Sequence, residues 1–318
     1  MTSLVHDYRA QIDWNIGGLF VHDQYIIETI KRCSRFEPVP IKYVFGGFPC
    51  SLQCGRISNT NPSLEKSIEL IRIYNSLGVG CRLTFSSHRI TKEDLSDYRA
   101  NCLLSYMNSS CPKTFPETKN GVIVSSDLLA DYVRKNYPNL ELISSLVRPS
   151  VEIGLGNETS DYYNTLAEKF DIVVLNTAKA HDDEFVSKLN DLSKFEIIAN
   201  HYCVPNCKFA KEHYDLTLVL QKDSPDGRYS KQAQEALQKL TSKCFAQRRR
   251  NPLSTDSLSV QETESLVEKG FRHFKLEGRD NSGDCFMRDM GDYIFNPNMY
   301  ARVMVNTGAN LYCWPSNR

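Results

Sequence analysis

The chain has 318 residues, 41% of them apolar, with 38 Lys and Arg balanced by 38 Asp and Glu. That length suits one α/β barrel or two ordinary domains, and the balanced charge excludes a molecule-wide basic field for nucleic acid. No run approaches the ~18 uninterrupted apolar residues of a membrane helix, and the opening MTSLVHDYRAQIDWN lacks a basic-then-apolar leader, so the expectation is a cytoplasmic protein with reduced thiols.

Residues 1–40 read as a mixed leader with a helical pattern near Tyr25–Cys33. From residue 41 an alternation begins. IKYVFGGF (Ile41–Phe48) is a β-rich apolar run, and NPSLEKSIELIRIYNSLG has a polar start, apolar residues at helical spacing and a closing glycine. CRLTFSS (Cys81–Ser87) is strand-like, and TKEDLSDYRANCLLSYM opens with the threonine and acids of a helix start. The same rhythm repeats at GVIVSS (Gly121–Ser126), LELISSL (Leu140–Leu146), DIVVLN (Asp171–Asn176), FEIIAN (Phe195–Asn200) and FRHFKLEGR (Phe271–Arg279). That makes seven clear strands, with a weak eighth near Asn251–Leu258.

Strands alternating with helices signal right-handed crossovers and a parallel sheet. The reading is an α/β protein, a (β/α)8 TIM-like barrel over 41–280, with a C-terminal extension, 281–318, packed on the outside. Residues 221–250 break the rhythm and read as a helical insertion after the sixth strand. A doubly wound sheet is the alternative, but no G-x-G-x-x-G follows the first strand.

In such a barrel functional groups gather past the carboxyl ends of the strands. PCSLQC places Cys50 and Cys54 there, and HYCVPNC places Cys203 and Cys207 there, both pairs spaced C-x3-C. Cys244 in the inserted helix belongs to the same rim. Thiolates with few neighbouring carboxylates suit an iron–sulfur cluster or zinc. Pro205 ahead of Cys207 marks an early helical turn whose free amides favour a negatively charged cluster, with Lys208 and Lys211 nearby. The plainer readings are two partly buried thiols or a redox disulfide. Cys33, Cys81 and Cys102 lie in apolar periodic runs and read as core; Cys111, Cys285 and Cys313 have no evident partner.

Other strand-end residues ring the expected mouth: His88 and Arg89, Arg148, Asn176, Asn200 and His201, Glu277 and Arg279. Arg148 and Arg279 are placed to clamp a carboxylate, and His201 to move protons near neutral pH. Each also has a structural reading, as a loop-bonding amide or an ion pair.

GVIVSSDLLADYVRKNYPNLELISSLVRPS, FEIIANHYCVPNCKFAKEHYD and EKGFRHFKLEGRD together resemble the collagenase-like peptidase family U32, over roughly residues 40–280. The resemblance implies a barrel, and relatives in that family are iron–sulfur proteins acting in oxygen-independent ubiquinone hydroxylation and in prephenate-dependent hydroxylation of RNA. GGFPCS is similar to the family segment that places a cysteine after the first strand, which implies Cys50 as a ligand, and the C-x3-C implies Cys203 and Cys207. Cys244 is the fourth choice and Cys54 its alternative. The implied cofactor is a 4Fe-4S cluster, with zinc second. The implied activity is oxygen-independent hydroxylation or a related redox step on a small-molecule or modified-biomolecule substrate, with an electron donor or protein partner; no sequence feature identifies an RNA-binding appendage, so a nucleic-acid partner is not expected. A peptidase-like hydrolase and a non-catalytic, metal-stabilised binding protein are the alternatives. The peptidase-type run E-x-F-x2-G-x-x-C is here EIIANHYC, and no G-x-S-x-G or H-E-x-x-H occurs.

Overall fold

A computed structural model describes residues 11–54, 62–110, 118–223, 231–250, 257–278, 283–296, 298 and 300–302. Eight parallel strands close into a barrel in chain order. They are β1 (Asp13–Gly17), β2 (Ile41–Gly46), β3 (Gly80–Phe85), β4 (Gly121–Val124), β5 (Glu141–Ser144), β6 (Ile172–Leu175), β7 (Phe195–Ile198) and β8 (His273–Leu276). The barrel closes where β1 pairs with β8 in register, Asp13 opposite His273 through Ile16 opposite Leu276.

The helices between strands are α1 (Asp23–Cys33), α2 (Leu64–Ser76), α3 (Tyr98–Ser109), α4 (Asp127–Asn136), α5 (Val147–Glu152), α6 (Ser160–Lys169), α7 (Thr177–Ala180), α8 (Asp183–Val186), α9 (Ala210–Asp223), α10 (Lys231–Arg250) and α11 (Val260–Lys269); α12 (Gly283–Tyr293) follows β8. Their starts follow local chemistry. The side chains of Ser63, Asp97, Ser126, Thr159 and Ser259 each accept a hydrogen bond from a first-turn amide, satisfying donors that a helix leaves open.

Residues 1–40 are not wholly outside the barrel, because Asp13–Gly17 is its first strand. The weak strand expected near Asn251–Leu258 falls mostly outside the described residues, and what is described of it is one antiparallel bridge from Ser257 to Asn200. The run IKYVFGGF is thus the second strand and FEIIAN the seventh. Within the stretch set aside as an extension, α12 buries Phe286 and Met290 in the main core, and Phe286 stacks on His22 at 4.6 Å between ring centroids.

Two apolar clusters hold the structure. The larger lies between strands and helices and runs around the whole barrel. The smaller fills the barrel interior with Phe45, Ile123, Ile143, Ile172, Val174 and Ile198. Alternation along a strand then fixes which other side chains point inward: Arg82 and Thr84 on β3, Ser125 just past β4, Glu196 on β7 and Lys275 on β8.

Candidate functional site

The C-terminal rim is built from the loops after β2 and β3 and from the chain around α9. Cys54 is buried, and its Sγ lies 3.7 Å from the carbonyl oxygen of Tyr214 on α9. Ser86 Oγ donates to the Cys54 carbonyl at 2.7 Å, tying the end of β3 to the same loop. His88 Nε2 meets Asp215 Oδ1 at 2.9 Å, Arg89 Nη2 meets the same oxygen at 2.6 Å, and Lys211 Nζ lies 3.3 Å from Oδ2. Burial pushes the Asp215 carboxyl up, but the hydrogen bonds from His88 and Lys211 outweigh it and hold the group below its usual range.

Cys203 and Cys207 lie on the loop that enters α9, Cys207 buried and Cys203 half-buried. An amide clamp anchored on buried Asn176 and Glu158 holds this loop. Asn206, between the two cysteines, has φ of 50°, in the left-handed region that asparagine tolerates. Its Oδ1 accepts from Asn176 Nδ2 at 2.9 Å, and the same amide donates to Glu158 Oε1 at 3.0 Å. Cys244 is on α10 beside Lys243, whose Nζ lies 3.2 Å from Glu212 Oε1 and 5.8 Å from the Phe209 ring centre, so this part of α10 lies against the start of α9. Cys50 packs instead against the main core, and burial pushes its thiol up to about 12.

Cys54 and the Cys203–Cys207 loop thus border α9 while α10, which carries Cys244, packs against its start, and soft thiol donors of this kind suit an iron–sulfur cluster or zinc. Among the described residues, however, no group of three or more His, Cys, Asp or Glu side chains is placed to hold a metal ion. As they stand the described sulfurs do not close a cage.

Of the other expected site residues, Arg148 is almost fully buried, with its guanidinium engaged by carboxylates of two neighbouring helices, α4 and α5. Nη1 donates to Glu152 Oε1 at 3.0 Å, Nη2 lies 3.1 Å from Asp127 Oδ1, and the Phe170 ring centre is 5.2 Å away. It joins α4, α5 and the end of α6. His201 is buried just past β7. Asn200 bonds the Glu277 backbone in both directions, at 2.7 Å each, and also donates to Asp289 on α12. Arg279, Cys111 and Cys313 lie outside the described residues.

Sequence reasoning missed a charged column inside the barrel. Arg82 is fully buried; Nη1 donates to Glu196 Oε1 and Nη2 to Glu141 Oε2, each at 2.8 Å, and its guanidinium carbon sits 3.5 Å from the Tyr43 ring centre. Asn15 Nδ2 also donates to Glu196 Oε1 at 2.9 Å. Burial pushes the Glu196 carboxyl up, but Arg82 and then Lys275 more than offset this, so it stays below the usual glutamate range. The available signal was a charge inside a strand buried on both faces, where parallel strands are normally apolar throughout.

No protein-family model matches the chain, and no curated protein matches it. Its fold is similar to that of the solved structure of the U32 peptidase Mk0906, with a TM-score of 0.52 and 11% sequence identity, covering 89% of this chain and 97% of that one. That likeness establishes the fold, a closed (β/α)8 barrel. No helix among the described residues is long and apolar enough to cross a membrane.

Proposed function

We propose that the chain is a U32-type barrel enzyme that carries an iron–sulfur cluster beside α9 and supports oxygen-independent hydroxylation or a related redox step. The observation that carries this reading is the C-x3-C pair Cys203 and Cys207 on the loop that enters α9, the helix that Cys54 contacts through the Tyr214 carbonyl. Metal sites commonly form together with their metal, so cluster assembly itself would draw the sulfurs into bonding distance. The Asn176–Asn206 clamp gives the C-x3-C loop a fixed anchor, and Lys208 and Lys211 supply positive charge at the same helix start.

Anaerobic purification tests this. The expected product is brown, with iron and acid-labile sulfide in equal amounts, and a combined Cys203→Ser and Cys207→Ser change abolishes both. A colourless protein, or zinc without sulfide, overturns the reading.

A hydrolase is the second reading, favoured by the His88–Asp215 pair, an imidazole oriented by a carboxylate as in general-base catalysis. The structural neighbour is itself described as a peptidase. Peptide cleavage by the colourless protein, lost in His88→Ala, would support it.

A further inference from the structure

We infer that the outward face of α3 is a docking surface for α3 of a second copy of this chain, the two helices packing antiparallel about a two-fold axis level with Cys102. This surface is independent of the cluster and hydrolase readings. The helices on either side of α3 carry ordinary solvent-facing charges: Glu65, Lys66, Glu69 and Arg72 on α2, and Asp127, Asp131, Arg134 and Lys135 on α4, are all exposed. α3 presents no charge outward. Its single charged residue, Arg99, is turned aside, with Nη2 donating to the Pro62 carbonyl at 3.2 Å and its guanidinium carbon 4.6 Å from the Phe48 ring centre. What faces out is a shallow depression lined by Tyr98, Asn101, Cys102, Ser105, Tyr106 and Ser109. Tyr98 is 75% exposed, more than any other large apolar or aromatic side chain among the described residues. An uncharged, tyrosine-bearing patch inside a charged rim has the composition of an interface centre.

The rim identifies the partner. Four of its charges form no ion pair among the described residues: Glu65 and Arg72 on α2, Asp131 and Lys135 on α4. Each helix thus offers an acid nearer its start and a base nearer its end. Both pairs are centred at one height. Ser110 Oγ lies 3.5 Å from Asn75 Oδ1, and the Asn139 amide donates to Asn108 Oδ1 at 2.9 Å, which sets Asn75 level with Ser110 and Asn139 level with Asn108. With a rise of about 1.5 Å per residue, the midpoint between Glu65 and Arg72 and the midpoint between Asp131 and Lys135 both fall beside Cys102 and Leu103. A two-fold axis crossing the three helices at that height brings Glu65 of each copy towards Arg72 of the other, and Asp131 towards Lys135. The rim is therefore complementary to itself, as an isologous contact requires. A parallel pairing would bring α2 of one copy against α4 of the other and set acid against acid and base against base.

Sedimentation of the full chain tests this. Two convex barrels touching along a few helices bury little area, so a dimer is expected at ~100 μM that dissociates on dilution. Ser105→Arg, an exposed change at the centre of the patch, should weaken the dimer about tenfold or more without altering the thermal melt, because it sets like charges face to face. Lys135→Glu should also weaken it, and adding Asp131→Lys should restore it, since the reversed pair is again complementary across the axis. A short bismaleimide should join Cys102 of one copy to Cys102 of the other, as mapped by peptide mass. A monomer at every concentration overturns the inference, as does a dimer indifferent to Ser105→Arg or cross-linked only elsewhere. Failure of Asp131→Lys to rescue Lys135→Glu overturns the antiparallel arrangement.

Discussion

Arg82 shows what a single residue does in this barrel. It neutralises two glutamates from different strands and covers the Tyr43 ring, so it links β2, β3, β5 and β7 through one side chain. Replacing it with Met leaves Glu196 buried without its main partner. The expected loss is about 3–5 kcal/mol, read from urea denaturation at pH 7. Acid should act on the same column. The Glu196 carboxyl sits below its ordinary value of 4.5 in the folded chain. The unfolded chain therefore takes up that proton first, and the stabilisation, complete above 4.5, drains away as the pH falls below it. His273 sits below its ordinary 6.5, through burial and then through the Arg82 charge. Its contribution has the same sign but begins to be lost as the pH falls through 6.5. Denaturation midpoints from pH 8 to pH 4 should thus fall in two stages, and His273→Gln should remove the upper one.

At the scale of elements, helix termini and inter-element clamps were unevenly legible. The helix α11 could be read from sequence, since Ser259 and Glu262 form a complete capping box and Gly270 ends the helix at φ of 119°. Gly270→Ala makes only ordinary contact with Leu192, at 3.5 Å, but places a Cβ in the left-handed region, so a loss of about 1 kcal/mol is expected in thermal or urea melts. The C-x3-C loop was legible as a pair of thiols but not as a clamped loop. Asn176 read as a strand-end amide, and Glu158 and Asn206 were invisible as its partners because they come from other loops, 18 and 30 residues away. The partners of Arg148 were hidden for the same reason. Its position after β5 was correct, yet Asp127 and Glu152, on two helices, engage it.

For the whole molecule, the barrel was legible from the βα rhythm, and seven of its strands fell where apolar runs predicted them. The strand that was missed explains itself through the ionic interior. DWNIG alternates outward Trp14 and Ile16 with inward Asp13 and Asn15: Asn15 donates to Glu196 of the charged column, and Asp13, half-buried at the strand's start, accepts from Lys42 at 2.9 Å and lies 3.5 Å from His273 Nδ1. A strand with polar residues on its inner face lacks the continuous apolar signature of a buried parallel strand, so it read as leader. The consequence is testable. A chain beginning at residue 41 keeps every strand recognised from sequence but lacks β1, which pairs with β2 on one side and β8 on the other. Removing it opens two strand edges, exposes the Trp14 and Ile16 packing surfaces and strips Glu196 of its Asn15 donor. Such a chain should be aggregated or lack a cooperative melt when examined by size-exclusion chromatography and thermal circular dichroism. A monomer melting like the full chain would show that β1 does not close the barrel in solution.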